Sequence, residues 1–217
     1  MTPRFVGTLI LVIIVACFVA GILVYPYLPA MMASHWSAHG EVNGMMGKFW
    51  GAFTIPIIML VLMGLWALLP HIDPVAPGFK GFRYVYDFVF FLAVAFLAYA
   101  YALMLGVNAG LRFDMFTMLL PALAVLIFLF GALLPHLKRN WFIGIRTPWT
   151  ISNNVVWDKT HRLGSILFEM AGVCILAAAF VPRAATLWLI LVPIILAAVV
   201  SVVYSYLIYR RQGGRTS

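Results

Sequence analysis

The stretch Phe5–Leu28, FVGTLILVIIVACFVAGILVYPYL, carries no charged residue and decides the fold class. An α-helix rises about 1.5 Å per residue, so about 20 apolar residues cross a hydrocarbon layer about 30 Å thick. Similar runs follow, and the six predicted spans are Phe5–Leu28, Phe49–Leu69, Phe88–Gly106, Met115–Leu134, Gly164–Val181 and Ala184–Tyr209. The sequence therefore predicts an all-α polytopic membrane protein with six transmembrane helices.

The composition predicts a single membrane domain over residues 1–217. Hydrophobic residues make up 65% of the chain and charged residues 9%, whereas a soluble domain carries about 25% charged residues. Both cysteines, Cys17 and Cys174, fall inside predicted spans, so no disulfide framework is expected. Polar residues gather in two loops, 29–48 and 135–163, and we expect function to lie there.

The distribution of positive charge predicts the orientation, because cytoplasmic loops are enriched in Lys and Arg. Six spans place both termini on one side. Eleven of the 14 Lys and Arg residues fall on that side, namely Arg4, Lys80, Arg83, Lys138, Arg139, Arg146, Lys159, Arg162, Arg210, Arg211 and Arg215. Both termini and loop 135–163 are therefore predicted to be cytoplasmic, and loop 29–48 extracellular. Such cations meet anionic lipid, so the net charge of +8 requires no direct nucleic-acid partner.

The first motif, Ser34–Lys48, has the sequence SHWSAHGEVNGMMGK, with two histidines four residues apart. Together with Glu41, His35 and His39 form a candidate three-ligand metal site. The zinc-hydrolase pattern would need a glutamate directly after the first histidine, where this chain has Trp36. Glycines in the motif favour a turn over a helix. In the alternative interpretation these residues form hydrogen bonds at the outer membrane interface.

The second motif, Asn140–His161, has the sequence NWFIGIRTPWTISNNVVWDKTH, with a tryptophan at every eighth position. This pattern predicts a segment in the interface plane, with its aromatic rings among the lipid headgroups. Ser152 or Asn153 is a candidate cap for a short amphipathic helix that ends at His161. Arg146 presents a fork of donors that could bind a phosphate or a carboxylate through two hydrogen bonds. A lipid-anchoring loop without a ligand fits the spacing equally well.

Glu169 is the one charged residue inside a predicted span, where an unpaired charge is costly. In a helix its face is shared by residues at i−4, i−7 and i−8, which are Ser165, Arg162 and His161. We expect Glu169 to pair with Arg162 or with a cation of loop 135–163. A proton or ion relay is the alternative, although no other span has a carboxylate near its middle.

Both motifs resemble signatures of a known family of membrane proteins, the SdpI family. The first motif is similar to its P…H(W/F)…G…(D/N)G signature, through Tyr27-Leu28-Pro29, His35-Trp36, Gly40-Glu41-Val42-Asn43-Gly44 and Lys48-Phe49. The second is similar to its N…GIRTPWT…W…TH…G signature, through Asn140-Trp141, Gly144-Ile145-Arg146-Thr147-Pro148-Trp149-Thr150, Trp157, Thr160-His161 and Gly164. With the six spans, the resemblance covers nearly the whole chain. His39 departs from it, since the family more often has a small polar residue there, and this weighs against the metal site.

The resemblance implies a protein of a prokaryotic plasma membrane that protects its cell from a secreted, membrane-active peptide toxin and captures a cytoplasmic repressor. We expect no catalytic residue and no cofactor. The residues expected to sense or block the toxin are His35, Trp36, Gly40, Glu41, Asn43 and Gly44. The inner site is expected to comprise Asn140, Gly144, Arg146, Thr147, Pro148, Trp157, His161 and Glu169, several of which would present a surface to the repressor.

Two other classes of function are compatible with the residues. A transporter or lipid-handling protein needs a polar route through the spans, and the near absence of midplane charge argues against strong ion coupling. A hydrolase needs a nucleophile or a bound metal. The metal candidates are His35, His39 and Glu41, and no serine–histidine or aspartate–aspartate pair stands out. A general role in membrane stress is also compatible with the family resemblance.

Overall fold

The computed structural model describes residues 3–37, 39–75, 79 and 81–212. Its helices are α1 (Pro3–Val24), α2 (Lys48–Ile72), α3 (Arg83–Asn108), α4 (Met115–Leu133), the short α5 (Pro148–Ser152), α6 (Asn154–Ala177) and α7 (Arg183–Arg211). All except α5 are long and apolar enough to cross a membrane, which confirms the predicted six-span helical fold. Two strands, β1 (Met31–Trp36) and β2 (Val42–Gly47), are added to it. Lys80 and Arg215 lie outside the described residues.

The six long helices pack in two groups of three. In the first group α1, α2 and α3 contact one another, and in the second α6 packs against both α4 and α7. Contacts between α3 and α4 join the groups. Because the chain reverses direction after each long helix, the first and second motifs lie at opposite ends of the bundle. We call these the first-motif end and the second-motif end.

Glycines bring α4 and α6 close together. A Cβ on Gly131 would lie 2.8 Å from the backbone nitrogen of Glu169, and a Cβ on Gly172 would lie 2.8 Å from that of Phe128. Small residues permit such close approach in membranes, where apolar burial does not drive helices together. The second motif therefore leads directly into a tightly packed helix.

The start of α6 differs from the predicted span, because the helix begins at Asn154 rather than at Gly164. The side chain of Asn153 caps it by accepting hydrogen bonds from two N–H groups of the first turn, at 2.8 and 3.0 Å. The short helix expected to end at His161 is thus the first part of a membrane-spanning helix. The irregular part of loop 135–163 is correspondingly shorter than predicted.

Candidate functional site

The first motif folds as a β-hairpin in which β1 and β2 are antiparallel. The register places Ala33 opposite Met45 and His35 opposite Gly44, with irregularities on both sides of His35. The turn that the glycines predicted is present. Gly40 in this turn has a φ of +82°, a conformation that glycine adopts without strain.

Two side chains dock the hairpin on the helices. The Asn108 amide, at the end of α3, donates to the carbonyl of Ala33 at 3.0 Å and accepts from its N–H at 2.8 Å. Met32 is fully buried and fills the space that Gly51 leaves in α2. Sequence reasoning missed Asn108, although a polar amide at the end of an apolar helix was a usable signal. These contacts fix the position of the hairpin against α2 and α3.

His35 is an exposed residue of β1 whose imidazole is positioned by β2. Its Nδ1 lies 2.5 Å from the side-chain oxygen of Asn43. Because that oxygen accepts, Nδ1 carries the hydrogen. A Cβ on Gly44 would lie 2.8 Å from the Cβ of His35, so glycine makes room for the pair. Three residues of the motif thus determine where one imidazole lies.

A cleft of about 310 Å³ lies beside β1 at the first-motif end. Ser34, His35 and Trp36 form one wall, and apolar side chains of α2, α3 and α4, including Met104 and Met115, form the others. Methionine side chains are flexible and adapt to irregular shapes. The cleft is suited to an apolar group that approaches beside a hydrogen-bonding imidazole.

The three metal candidates are not gathered into one site. His35 pairs with Asn43, whereas His39 is exposed at the turn, and the backbone of Glu41 bonds to Ser37. Among the residues that the structure describes, no group of three His, Cys, Asp or Glu side chains is placed to hold a metal ion. The proposed three-ligand arrangement of His35, His39 and Glu41 is therefore not formed.

The hairpin turn rests on an ion pair from the second helix group. Arg183 lies 2.5 Å from the carboxylate of Asp114, which also caps α4 by accepting from the N–H of Thr117 at 2.7 Å. Gly40 packs against both charged side chains, and a Cβ there would overlap them. Burial alone would raise the pKa of Asp114, but the hydrogen bonds from Arg183 and Thr117 outweigh burial and hold the pKa below its ordinary value.

The second motif is built around Asn140, which is fully buried. Its amide nitrogen donates to the carbonyls of Lys138 and Ile143, at 2.8 and 3.0 Å. Its oxygen accepts from the N–H groups of Phe142 and Ile143, at 2.9 and 2.7 Å. These four bonds use the full capacity of the amide. The backbone of this part of the second motif is therefore held around the Asn140 side chain.

A hydrogen bond between Trp141 and Asp73 connects the second motif to the first helix group. The N–H of Trp141 donates to the carboxylate of Asp73, the residue after α2, at 2.8 Å. Asp73 is buried, and its other oxygen accepts from the N–H of Val75 at 2.8 Å. Sequence reasoning did not single out Asp73, because a carboxylate just beyond a span needs no special role.

His161 joins α6 to the loop. Its Nε2 accepts from the N–H of Ile145 at 3.0 Å, and its Nδ1 lies 2.8 Å from the carbonyl of Trp157. One accepting and one donating nitrogen make a neutral ring with its hydrogen on Nδ1. Gly144, with a φ of +113°, packs against the imidazole where a Cβ would overlap Nε2. Trp157 stacks on the ring and donates to the carbonyl of Leu137 at 2.8 Å.

Thr147 and Pro148 begin α5 and attach it to α7. The hydroxyl of Thr147 accepts from the N–H of Thr150 at 3.1 Å, and the hydroxyl of Thr150 accepts from the N–H of Thr147 at 2.8 Å. Pro148 occupies the first helical position, where no N–H is needed. The Thr147 hydroxyl also lies 3.0 Å from that of Ser205 in α7.

The burial of the second motif corrects the expectation that it presents a surface. The exposed fractions are 0% for Asn140 and His161, 1% for Trp157 and 6% for Thr147. Side chains as buried as these do not meet a soluble partner, and Trp157 does not lie among lipid headgroups. The exposed residues here include Trp141, Arg146 and Pro148.

Glu169 pairs within its own helix. The hydroxyl of Ser165 donates to its carboxylate at 2.6 Å. Arg162 is exposed, and no ion pair of Glu169 is found in the described part of the chain. The predicted pairing with Arg162 or a loop cation is therefore wrong. Arg162 lies about 10 Å away along the helix axis, whereas Ser165 is one turn away and within reach.

Similarity to known proteins covers both motifs. Residues 136–205, with the second motif, α6 and much of α7, match the SdpI/YfhL protein family. Residues 12–60, with the first motif, match a domain of unknown function, DUF1648. Over 210 residues the chain is 27% identical to the immunity protein SdpI of Bacillus subtilis strain 168, which covers 94% of this chain and 97% of that protein. No solved structure matches the chain.

The family match and the relative indicate the same kind of protein. The match contains the buried network of Asn140, Thr147 and His161, and the similarity to the relative extends over the six helices. This six-span membrane protein is similar to the SdpI/YfhL protein family over residues 136–205 and to an SdpI immunity protein along almost its whole length.

Proposed function

We propose that this protein is an immunity protein of a prokaryotic plasma membrane and protects its cell from a secreted, membrane-active peptide toxin. The observation that carries the proposal is the exposure of His35 on a docked hairpin beside an apolar cleft. The Bacillus subtilis relative is named an immunity protein and is similar along almost its whole length, which supports the same function here.

In this proposal the first motif faces the outside of the cell. Eleven of the 14 Lys and Arg residues fall on the opposite side in the six-span topology, as cytoplasmic charges do. Tyr27 and Trp50, close to the hairpin in the chain, are 78% and 59% exposed. Exposed aromatic rings near the ends of spans favour the level of the lipid headgroups. A peptide toxin that approaches the membrane would therefore meet the hairpin before it inserts.

The cleft provides the binding chemistry. A membrane-active peptide carries apolar side chains, and one of these would lie against Met104 and Met115 while His35 offers a hydrogen bond at the mouth. Capture at this position keeps the peptide from the lipid. Because binding alone protects the cell, the proposal includes no catalytic step and no cofactor.

Capture of a cytoplasmic repressor is the second part of the proposal. The exposed residues at the second-motif end include Trp141, Arg146 and Pro148. Arg146 donates to the carbonyl of Trp141 at 2.7 Å, which holds its guanidinium at the surface. A repressor with an acidic patch beside an apolar one would complement these three side chains.

Survival of toxin-sensitive bacteria exposed to an Sdp-type peptide toxin tests the immunity proposal. Cells carry an empty vector, the wild type, His35→Ala, His39→Ala or Arg146→Ala, at equal membrane levels. His39 is the matched control, because it is an exposed histidine of the same hairpin outside the His35–Asn43 pair. We expect the wild type and His39→Ala to protect and His35→Ala to fail. Arg146→Ala should still protect the cells, but it should no longer capture the cytoplasmic repressor.

Lack of protection by well-expressed wild type would remove immunity to that toxin. Equal loss in His35→Ala and His39→Ala would show a nonspecific effect on the hairpin and would contradict the role given to His35. Loss of protection in Arg146→Ala would contradict the assignment of that residue to the regulator alone.

A further inference from the structure

One edge of the hairpin is open. β1 and β2 form a two-stranded sheet, and no third strand occurs in the described ranges of the chain. On its other side β1 is covered by Asn108 of α3. Val42 and Met45 of β2 are 47% and 53% exposed. The sheet therefore has one edge, β1, that bonds to Asn108 of α3, and a second edge, β2, on the opposite side from Asn108.

The hydrogen bonds of Asn108 to Ala33 show which backbone groups of β2 point away from β1. In an antiparallel pair, two residues that face each other either exchange both hydrogen bonds or direct both groups away. Ala33 uses its N–H and carbonyl for Asn108, so Ala33 and the facing Met45 form a pair of the second kind. The bond from the N–H of Lys48 to the carbonyl of Ala30, at 2.9 Å, fits the same alternation. The N–H and carbonyl of Met45 therefore point away from β1.

We propose that an extended segment of the peptide toxin adds to β2 as a third strand and bonds to the N–H and carbonyl of Met45. Outward backbone donors and acceptors at strand spacing are matched by an extended peptide, which is how strand addition gives affinity. A lipid headgroup lacks this regular alternation. The inference rests on the proposed immunity function and adds a backbone contact on β2 to the side-chain contacts in the cleft beside β1.

The side chains of β2 favour a peptide over a second copy of this chain. Gly47 has open space where a Cβ would stand, so a bulky side chain on an added strand can lie there. Val42 and Met45 offer exposed apolar contacts to such a strand. A second copy would bring the same strand, whose glycines, Gly44 and Gly47, have no side chain to fill that space.

The test separates the backbone of Met45 from its side chain. Met45→Pro removes the outward N–H but keeps the bonds between β1 and β2, because proline is tolerated where the N–H faces away from the sheet. Met45→Val keeps the N–H and is the matched control. Purified proteins in nanodiscs are titrated with a labelled Sdp-type toxin peptide. We expect Met45→Pro to weaken binding about tenfold or more and Met45→Val to stay within about twofold of the wild type.

The outcomes distinguish this inference from the immunity proposal. If the wild type protects cells but Met45→Pro binds normally, or if Met45→Val loses binding equally, strand addition is overturned and immunity stands. If the wild type neither binds nor protects, both are overturned. A changed oligomeric state of Met45→Pro without peptide would assign the edge to a second copy and would also overturn the inference.

If Met45→Pro fails to accumulate, photo-crosslinking tests the addition of a strand to β2 instead. A photoreactive phenylalanine analogue replaces Met45, and the labelled toxin residues are mapped by mass spectrometry. Neighbouring side chains of a strand point to opposite faces, so an added strand should be labelled at residues two apart. Labelling of consecutive residues, or of residues at helical spacing, would overturn the strand.

Discussion

The two motifs differ in the burial of their polar groups. In the second motif Asn140 and His161 are fully buried, and both bond to backbone groups through both ends of their polar side chains. In the first motif His35 is exposed and its imidazole pairs with Asn43. Both stretches stand out in the sequence as polar islands in an apolar chain. Burial, rather than residue type, distinguishes the second motif, which stabilises the fold, from the first motif, which is exposed to solvent.

Breaking the network at Asn140 should have the largest effect, and the effect should be on stability. Asn140→Ala leaves buried carbonyl and N–H groups without partners at about 1–3 kcal/mol each, so we expect the free energy of unfolding to fall by about 3 kcal/mol or more. Asn140→Asp keeps the accepting oxygen but buries a carboxylate against the carbonyls of Lys138 and Ile143, so it should not restore stability. Unfolding of the purified variants in detergent measures both. Stability of Asn140→Ala equal to the wild type would show that the network is not needed.

The two histidines offer the sharpest test of the comparison. His161→Phe keeps a ring of similar shape but leaves the N–H of Ile145 unpaired, and should cost about 2 kcal/mol of stability. His35→Phe is at an exposed site and should change stability by less than about 0.5 kcal/mol while it abolishes protection. Unfolding and toxin survival are measured on both. The reverse pattern would contradict the division of roles between the motifs.

Gly40 tests the contact between the hairpin and the ion pair. Gly40→Ala combines a positive φ with overlap against Asp114 and Arg183, and should lower stability by about 1–2 kcal/mol. Gly47→Ala is the control, because a Cβ there meets nothing within 4 Å. Thermal unfolding compares the two variants. Equal midpoints would mean that the turn does not rest on the ion pair as described.

The smallest expected effect is on acid stability. The pKa of Asp114 is below its ordinary value of 3.8 in the folded protein, so the pair stabilises the fold above that pH and stops doing so as the pH falls through the folded pKa. The side chains of Arg183 and Asp114 are 36% and 32% exposed, so the ion pair contributes less than about 1 kcal/mol to the free energy of unfolding. As the pH falls below 3.8, the unfolding midpoint should fall less steeply in Asp114→Asn than in the wild type. Identical slopes would contradict this assignment.

The spans were predictable from the sequence because each is a long apolar run, as in Phe5–Leu28. The hairpin was predicted only as a turn, because strands as short as β1 and β2 have little pattern of their own. Their position depends on Asn108 of α3, and on Gly51 of α2, against which Met32 of β1 packs. The sequence marks Asn108 as a polar amide at the end of an apolar helix, but it does not show which strand the amide contacts.

The sequence indicated which residues form the candidate site, but it did not indicate their hydrogen-bond partners. Helical spacing placed Ser165 and Arg162 on the face of Glu169, but side-chain reach selected Ser165. The polar residues of the second motif were expected at the surface because polar loops usually lie there. Their hydrogen bonds are satisfied by nearby backbone groups, so they are buried without loss, and only the arrangement of the chain in space reveals it.

The contacts at Asp73 and Gly40 join the two helix groups at opposite ends of the bundle. A carrier that works by alternating access rocks one half against the other, so that a central site opens to each side in turn. Here, opening the second-motif end would separate Asp73 from Trp141, and opening the first-motif end would pull the hairpin off the Asp114–Arg183 pair. The molecule is therefore braced at both ends, and such a brace favours holding a peptide at the surface over carrying it across the membrane.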